Sequence, residues 1–280
     1  MATSMTKKST TRAKKATPKP VIKVAGEKRS VRERTAAKPR PKGELSPSVE
    51  NVEKVIASLK RLATRATLHG MARYGIPSHN AFGVPVGKIK QLGKQLGRNH
   101  ELAAALWETG WYEARMLTSF VDDPARVTPA QMDRWAKDFD SWAICDTLCF
   151  HLFDRTPHAF AKVEQWSNRK PEFVKRAAFA LLASLALHDK AIGDEPFAKC
   201  LPLIEKAATD ERNFVKKGVS WALRGVGRRS PSLHIAAVDL AQRLAASQDP
   251  TPRWLGRDVL RDITRPAVMR RLVARRGPRV

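Results

Sequence analysis

Residues 139–153, FDSWAICDTLCFHLF, place Trp142 and Asp146 four apart in an otherwise apolar run. In a helix that spacing puts both side chains on one face, a turn apart. A carboxylate without partners in apolar surroundings is costly, so Asp146 is either satisfied by a neighbour or aimed at a ligand. A second group lies in RNFVKKGVSWALRGVGRR, residues 212–229. Val215, Val219, Ala222 and Val226 form one apolar face. Lys217, Trp221, Arg224 and Arg228 form another stripe at spacings of four, three and four. Cations flanking an indole suit phosphate binding with the aromatic beside a sugar or base. The competing reading is an indole sheathed by arginines through cation–π contact.

Two further positions carry less signal on their own. Arg176 follows Lys175 and faces away from Val174, Ala178, Leu181 and Leu185, which by itself reads as a solvated arginine. Tyr74, one of two tyrosines, precedes a Gly/Pro-rich turn and a lysine-bearing helix in MARYGIPSHNAFGVPVGKIKQLGKQLG, residues 71–97. Core packing is its ordinary role.

Other chemistries fit poorly. FGVPVGKIK has glycines spaced GxxxGK with no following Ser/Thr, so it is no P-loop. The seven histidines form no HExxH or close pair, and neither a zinc deaminase signature nor a GxSxG elbow occurs. Cys145, Cys149 and Cys200 are too few and wrongly spaced for a disulfide framework or a CxxC site; the first two, one turn apart, read as small core residues. No metal or organic cofactor is expected.

These groups need a scaffold and a partner. The formal charge of +25 over 280 residues points to a polyanion, nucleic acid before an anionic membrane. No apolar stretch approaches the roughly 20 residues that span a bilayer, and no signal-peptide core follows the first methionine. The expectation is a reduced, cytoplasmic, nucleoid-associated protein, nuclear if the source is eukaryotic. Residues 1–43 carry 14 Lys/Arg against Glu27 and Glu33 and have no aromatic residue. They read as a disordered basic arm adding salt-sensitive attraction to phosphates, with a solubilising tail or a targeting segment as alternatives.

Residues 44–280 read as an all-α body. SPSVENVEKVIASLKRLA opens with Ser46 or Ser48 as N-cap, and Thr128 with Pro129 starts another helix. Helices of about 10–18 residues separated by short breaks are expected, with no strand. VEQWSNRKPEFVKRAAFALL (163–182) aligns without gaps on IEKAATDERNFVKKGVSWAL (204–223), and PRWLGRDV (252–259) faintly echoes RNFVKKGV (212–219). Two-helix units of this length predict a HEAT-like, armadillo-type solenoid with a concave basic cleft. In this alignment Trp221 and Arg224 replace Ala180 and Ala183. A closed solenoid end and no exposed heptad predict a monomer.

From about residue 50 to 265 the sequence resembles the AlkD-type DNA alkylation repair glycosylases. MARY (71–74), WAICD (142–146, against W-x-x-x-D), KRAAFALL (175–182) and FVKKGVSWALR (214–224) carry the resemblance. It implies that Trp142 and Trp221 wall the lesion's deoxyribose and that Asp146 is the catalytic carboxylate. It also implies that Tyr74, Arg176 and Arg224 surround the DNA, which is recognised from its backbone side without full base flipping. The basic arm is an addition to the family core, and WAICD lacks a second acid sometimes seen there.

One carboxylate is enough for the implied reaction. Hydrolysis of an O-glycoside takes two, because the leaving oxygen must be protonated. A purine alkylated at N3 or N7 is already cationic and departs neutral without a general acid. The expected partner is therefore duplex DNA containing alkylated purines, and the expected activity is monofunctional base excision, with no amine nucleophile for strand cleavage. Asp146 would oppose the charge on an oxocarbenium-like sugar and orient water, kept ionised at low pKa by Arg176 and Arg224. Two readings compete: a noncatalytic helical-repeat protein binding damaged or branched DNA, and a scaffold for protein partners.

Overall fold

A computed structural model describes residues 47–274, whose regular elements are all helices, with no strand among them. The chain runs through α1 (Pro47–Arg61), α2 (Arg65–Met71), α3 (Val86–Leu96), α4 (His100–Glu108) and α5 (Tyr112–Val121). Next come α6 (Pro129–Lys137), α7 (Trp142–His151), α8 (Ala159–Ser167), α9 (Glu172–His188) and α10 (Glu195–Lys199). It ends with α11 (Leu201–Ala207), α12 (Asn213–Gly227), α13 (Pro231–Ala245), α14 (Pro250–Ile263) and α15 (Pro266–Ala274). Short 3-10 turns at Ala72–Tyr74 and Phe153–Arg155 interrupt the series. The expected arm at 1–43 lies outside the described residues, as does Ser46. Ser48 falls inside α1, so it is not the cap.

Local sequence starts the helices as expected. Thr128 Oγ1 accepts from the Gln131 amide at 3.2 Å, with Pro129 at the first helical position. Asn99 and Ser230 cap α4 and α13 in the same way. Some helices are shorter than expected: α2 and α11 have seven residues and α10 has five. Their length comes from packing and turn chemistry rather than from an isolated helix's own stability.

The repeat is a stack of helix pairs. α8 packs on α9, α11 on α12 and α13 on α14, while α9 also contacts α12 and α12 contacts α14. Repeat-matched residues occupy matched places: Val163 and Ile204 are buried, as are Val174 and Val215, and the Phe173 and Phe214 rings lie 5.2 Å apart. The weak echo at 252–259 belongs to α14, where Leu255 and Val259 are buried like Val215 and Val219. α9 is the centre of this stack. Its run from Arg176 to Ala186 is buried on every side, the behaviour of a helix that is apolar all round.

Small residues set the spacings. A Cβ at Gly256 would stand 2.3 Å from the Ala245 nitrogen, so α14 approaches α13 only through glycine. Cys145 and Cys149 are buried core thiols on the α7 face toward α9, where their Sγ atoms reach the Phe173 and Ala177 carbonyls at 3.5 Å. Among the described residues, no helix is long and apolar enough to cross a membrane, and no cluster of three His, Cys, Asp or Glu could hold a metal.

Candidate active site

α7 presents one partly open row. Trp142, Asp146 and Phe150 follow at four-residue intervals and are half-buried, while Ala143, Ile144, Cys145, Leu148 and Cys149 are buried in the core. The Trp142 indole sits at the helix start and donates from Nε1 to the Tyr74 carbonyl at 2.8 Å. That bond ties α7 to the 72–74 turn. Tyr74 itself is 62% exposed, so core packing does not account for it.

The loop after Tyr74 is held by a residue that the sequence did not single out. Glu113 on α5 is fully buried, and its carboxylate accepts from the Phe82, Gly83 and Val84 amides at 2.7–3.1 Å. Gly83 adopts a positive φ of 87° there, and a Cβ would meet Leu68 and Thr64 at 2.7 Å. An acid within a buried helix face was the available signal, but its partners lie about 30 residues upstream.

Asp146 is satisfied by one arginine. Arg176 Nε donates to Oδ1 at 2.8 Å and Nη2 to Oδ2 at 2.6 Å, a bidentate pair, while Nη1 donates to the Phe214 carbonyl at 2.7 Å. Arg176 is only 7% exposed, which corrects its reading as a solvated surface residue: the α9 position is enclosed by α7 and α12, and its guanidinium spans both. The Asp146 side chain keeps 17% of its surface open.

The electrostatics also need correcting. Burial pushes the Asp146 carboxyl above the ordinary aspartate range, and the hydrogen bonds and charge of Arg176 offset only part of this. Arg224 does not join the pair. It lies 3.8 Å from Asp262 and bonds back to the Ser220 carbonyl at 3.3 Å, while Arg228 also donates to Asp262. Asp262 on α14 thus anchors two members of the cationic stripe.

Lys217, Trp221, Arg224 and Arg228 do share one face of α12, opposite the buried Val215, Val219, Ala222 and Val226. They line a cavity of about 880 Å³ bordered by α9, α12, α14 and the start of α15. Arg176 borders it too, whereas Trp142, Asp146 and Tyr74 are outside its walls. The two halves of the site meet at aromatic rings as well: Phe150, last in the α7 row, stacks near Trp221 with centroids 6.1 Å apart and planes at 21°. Phe150 could have been found from sequence as the next step of the 142, 146 spacing.

The arrangement offers a partly open carboxylate, two half-open indoles and a bank of cations. It can hold a polyanion and place negative charge beside a developing cation.

Comparisons with known proteins give the fold and the family. No curated protein matches the chain. Among solved structures it is similar to one described as "A new family of proteins related to the HEAT-like repeat DNA glycosylases with affinity for branched DNA structures", at 20% identity and a TM-score of 0.64, covering 75% of this chain and 94% of that one. The likeness identifies the fold as the HEAT-like helical repeat. A family model described as DNA alkylation repair enzyme matches residues 55–261, a span that holds every candidate residue named above. The chain belongs to the DNA alkylation repair enzyme family.

Proposed function

We propose that this protein is a monofunctional DNA glycosylase that hydrolyses the N-glycosidic bond of cationic N3- or N7-alkylated purines in duplex DNA. The observation that carries the reading is the Trp142–Asp146 pair: a carboxylate still partly open, one turn from an indole and paired with Arg176, which borders the cationic cavity. Phosphates docked on Lys217, Arg224 and Arg228 bring the lesion's sugar toward Trp142, Asp146 and Trp221, with Tyr74 at the rim.

The alkylated base leaves with the C1′–N electron pair and becomes neutral, so no general acid is required. Positive charge moves onto the sugar, where the Asp146 carboxylate and the faces of the indoles oppose it. Arg176 takes one lone pair from each Asp146 oxygen, and the open side of the carboxylate is left to orient water and accept its proton as the C1′–O bond forms. The same pairing holds the carboxylate in place. An ordinary purine would have to leave as an anion, so selectivity for cationic bases follows.

The test is incubation with DNA containing N7-methylguanine, measuring released base for the wild type beside Asp146→Asn. Release by the wild type alone supports the reading. Equal release by both removes Asp146 from catalysis, and no release by either removes the enzyme.

A second reading rests on the similar solved structure, whose protein is described as having affinity for branched DNA. A noncatalytic DNA binder would use the α12 cations equally well. Such a binder would need Asp146 only as the partner of Arg176, so loss of base release in Asp146→Asn separates the two readings.

A further inference from the structure

The cavity beside Trp221 contains a second indole that base excision as proposed does not use. Trp254 on α14 is 39% exposed and lines the same space. In the repeat it occupies the place of Phe214, a ring that is half-buried against Phe173. Here the equivalent ring is larger and turned out to the cavity. Lys216 Nζ lies over one face of this ring, 4.8 Å from its centroid, so a stacked base would take the opposite face.

The surrounding charge is one-sided. Arg265 and Arg271 approach from the α14–α15 junction and α15, and Lys217 approaches from α12; all three are exposed. Among the described residues lining the cavity, the acid is Asp258, whose oxygens already receive Ser220 Oγ at 2.7 Å and Arg261 Nη2 at 2.5 Å. Its volume of about 880 Å³ falls within the roughly 300–1,000 Å³ of small-ligand sites. An open indole ringed by cations suits a nucleobase with its own phosphates. A base within an intact duplex is already stacked on both faces, so only an unpaired one can use the ring without first breaking that stacking.

We propose that this cavity accepts an unpaired nucleotide of DNA, its base stacked on Trp254 and its phosphates held by Lys217, Arg265 and Arg271. The inference rests on the reading of the Trp221 face as the DNA-facing one. It adds a preference for DNA with an extrahelical or single-stranded residue near the bound site.

The experiment measures binding of the full chain to three undamaged labelled duplexes: fully paired, with a single unpaired adenine, and with an abasic residue at the same bulge. The wild type is expected to bind the adenine bulge about tenfold more tightly than either of the others. Trp254→Ala should abolish that preference and Trp254→Phe should keep part of it. Equal affinity of the wild type for all three duplexes overturns the proposal, whatever the variants do. So does an abasic bulge bound as tightly as adenine, because that reports backbone bending rather than base stacking. A Trp254→Ala variant that loses the same factor on every duplex overturns it as well. Because the readout is affinity for undamaged DNA, it is independent of base release: failure of the glycosylase assay leaves this result standing, and the reverse holds.

Discussion

Replacing Asp146 with asparagine changes one charge and almost no volume, and it should act on two separate observables. In the native protein both carboxylate oxygens accept from Arg176, at 2.8 and 2.6 Å. Asparagine keeps one acceptor and turns an amide NH2 toward the other guanidinium nitrogen, donor against donor. Arg176 is too enclosed for water to take over easily. The loss is that of a charge-assisted bond plus part of the cost of an unpaired buried charge, about 2–4 kcal/mol. The Phe214 carbonyl remains as a partner, which holds the cost below that of full removal. For a domain of this size the melting temperature should fall by roughly 4–16 °C. Separately, removal of the negative charge facing the sugar should slow base release about 10²–10³-fold, the scale of one lost electrostatic stabiliser. Thermal melting by circular dichroism and single-turnover base release, both below the lowered melting temperature, measure the two effects apart. A protein that melts lower but excises at the wild-type rate would make Asp146 a structural ion pair and nothing more. One whose melting is unchanged would mean that the pair does not hold Arg176.

Burial raises the Asp146 pKa, so this carboxylate takes up its proton at higher pH than an ordinary aspartate. Base release, corrected for spontaneous depurination, should therefore fall on acidification with a midpoint above 3.8, and a midpoint at or below that value contradicts the assignment. Trp221→Ala should weaken binding of lesion DNA by about 5- to 100-fold, the worth of one aromatic stack. Titration with a labelled duplex reads it, and the Trp166→Phe protein, altered only in the core, serves as the control for general loosening. Glu113→Gln should cost about 2–4 kcal/mol, because the amide offers one acceptor where three amides converged on a carboxylate. Urea melting checks this, and an unchanged midpoint would show that the 82–84 loop does not depend on it. Binding of undamaged duplex should weaken steeply with salt, and a flat response from 50 to about 200 mM would exclude phosphate contacts as its source.

Much of this protein is legible along the chain because it depends on local period and on repetition. Helical spacing alone puts Trp142 with Asp146, and Lys217 with Trp221, Arg224 and Arg228. The gapless match of 163–182 on 204–223 foretells stacked helix pairs, since each pair must cover the next pair's apolar face. Positions where one copy departs from the other, Trp221 for Ala180 and Arg224 for Ala183, mark the cavity side before any coordinate is known. Pairing across the stack is a different matter. Periodicity showed that Arg176 faces away from the apolar residues of α9, but not that α7 and α12 close over it, which turns a surface cation into a buried one. It could not show that Arg224 meets Asp262 rather than Asp146, because the packing of α12 on α14 decides that. The sign of the Asp146 shift went the same way: an arginine partner lowers a carboxyl pKa and enclosure raises it, and the balance depends on how much water the neighbouring helices exclude. Spacing within a helix is a property of the chain, whereas burial and the partners of long, charged side chains belong to the assembled stack.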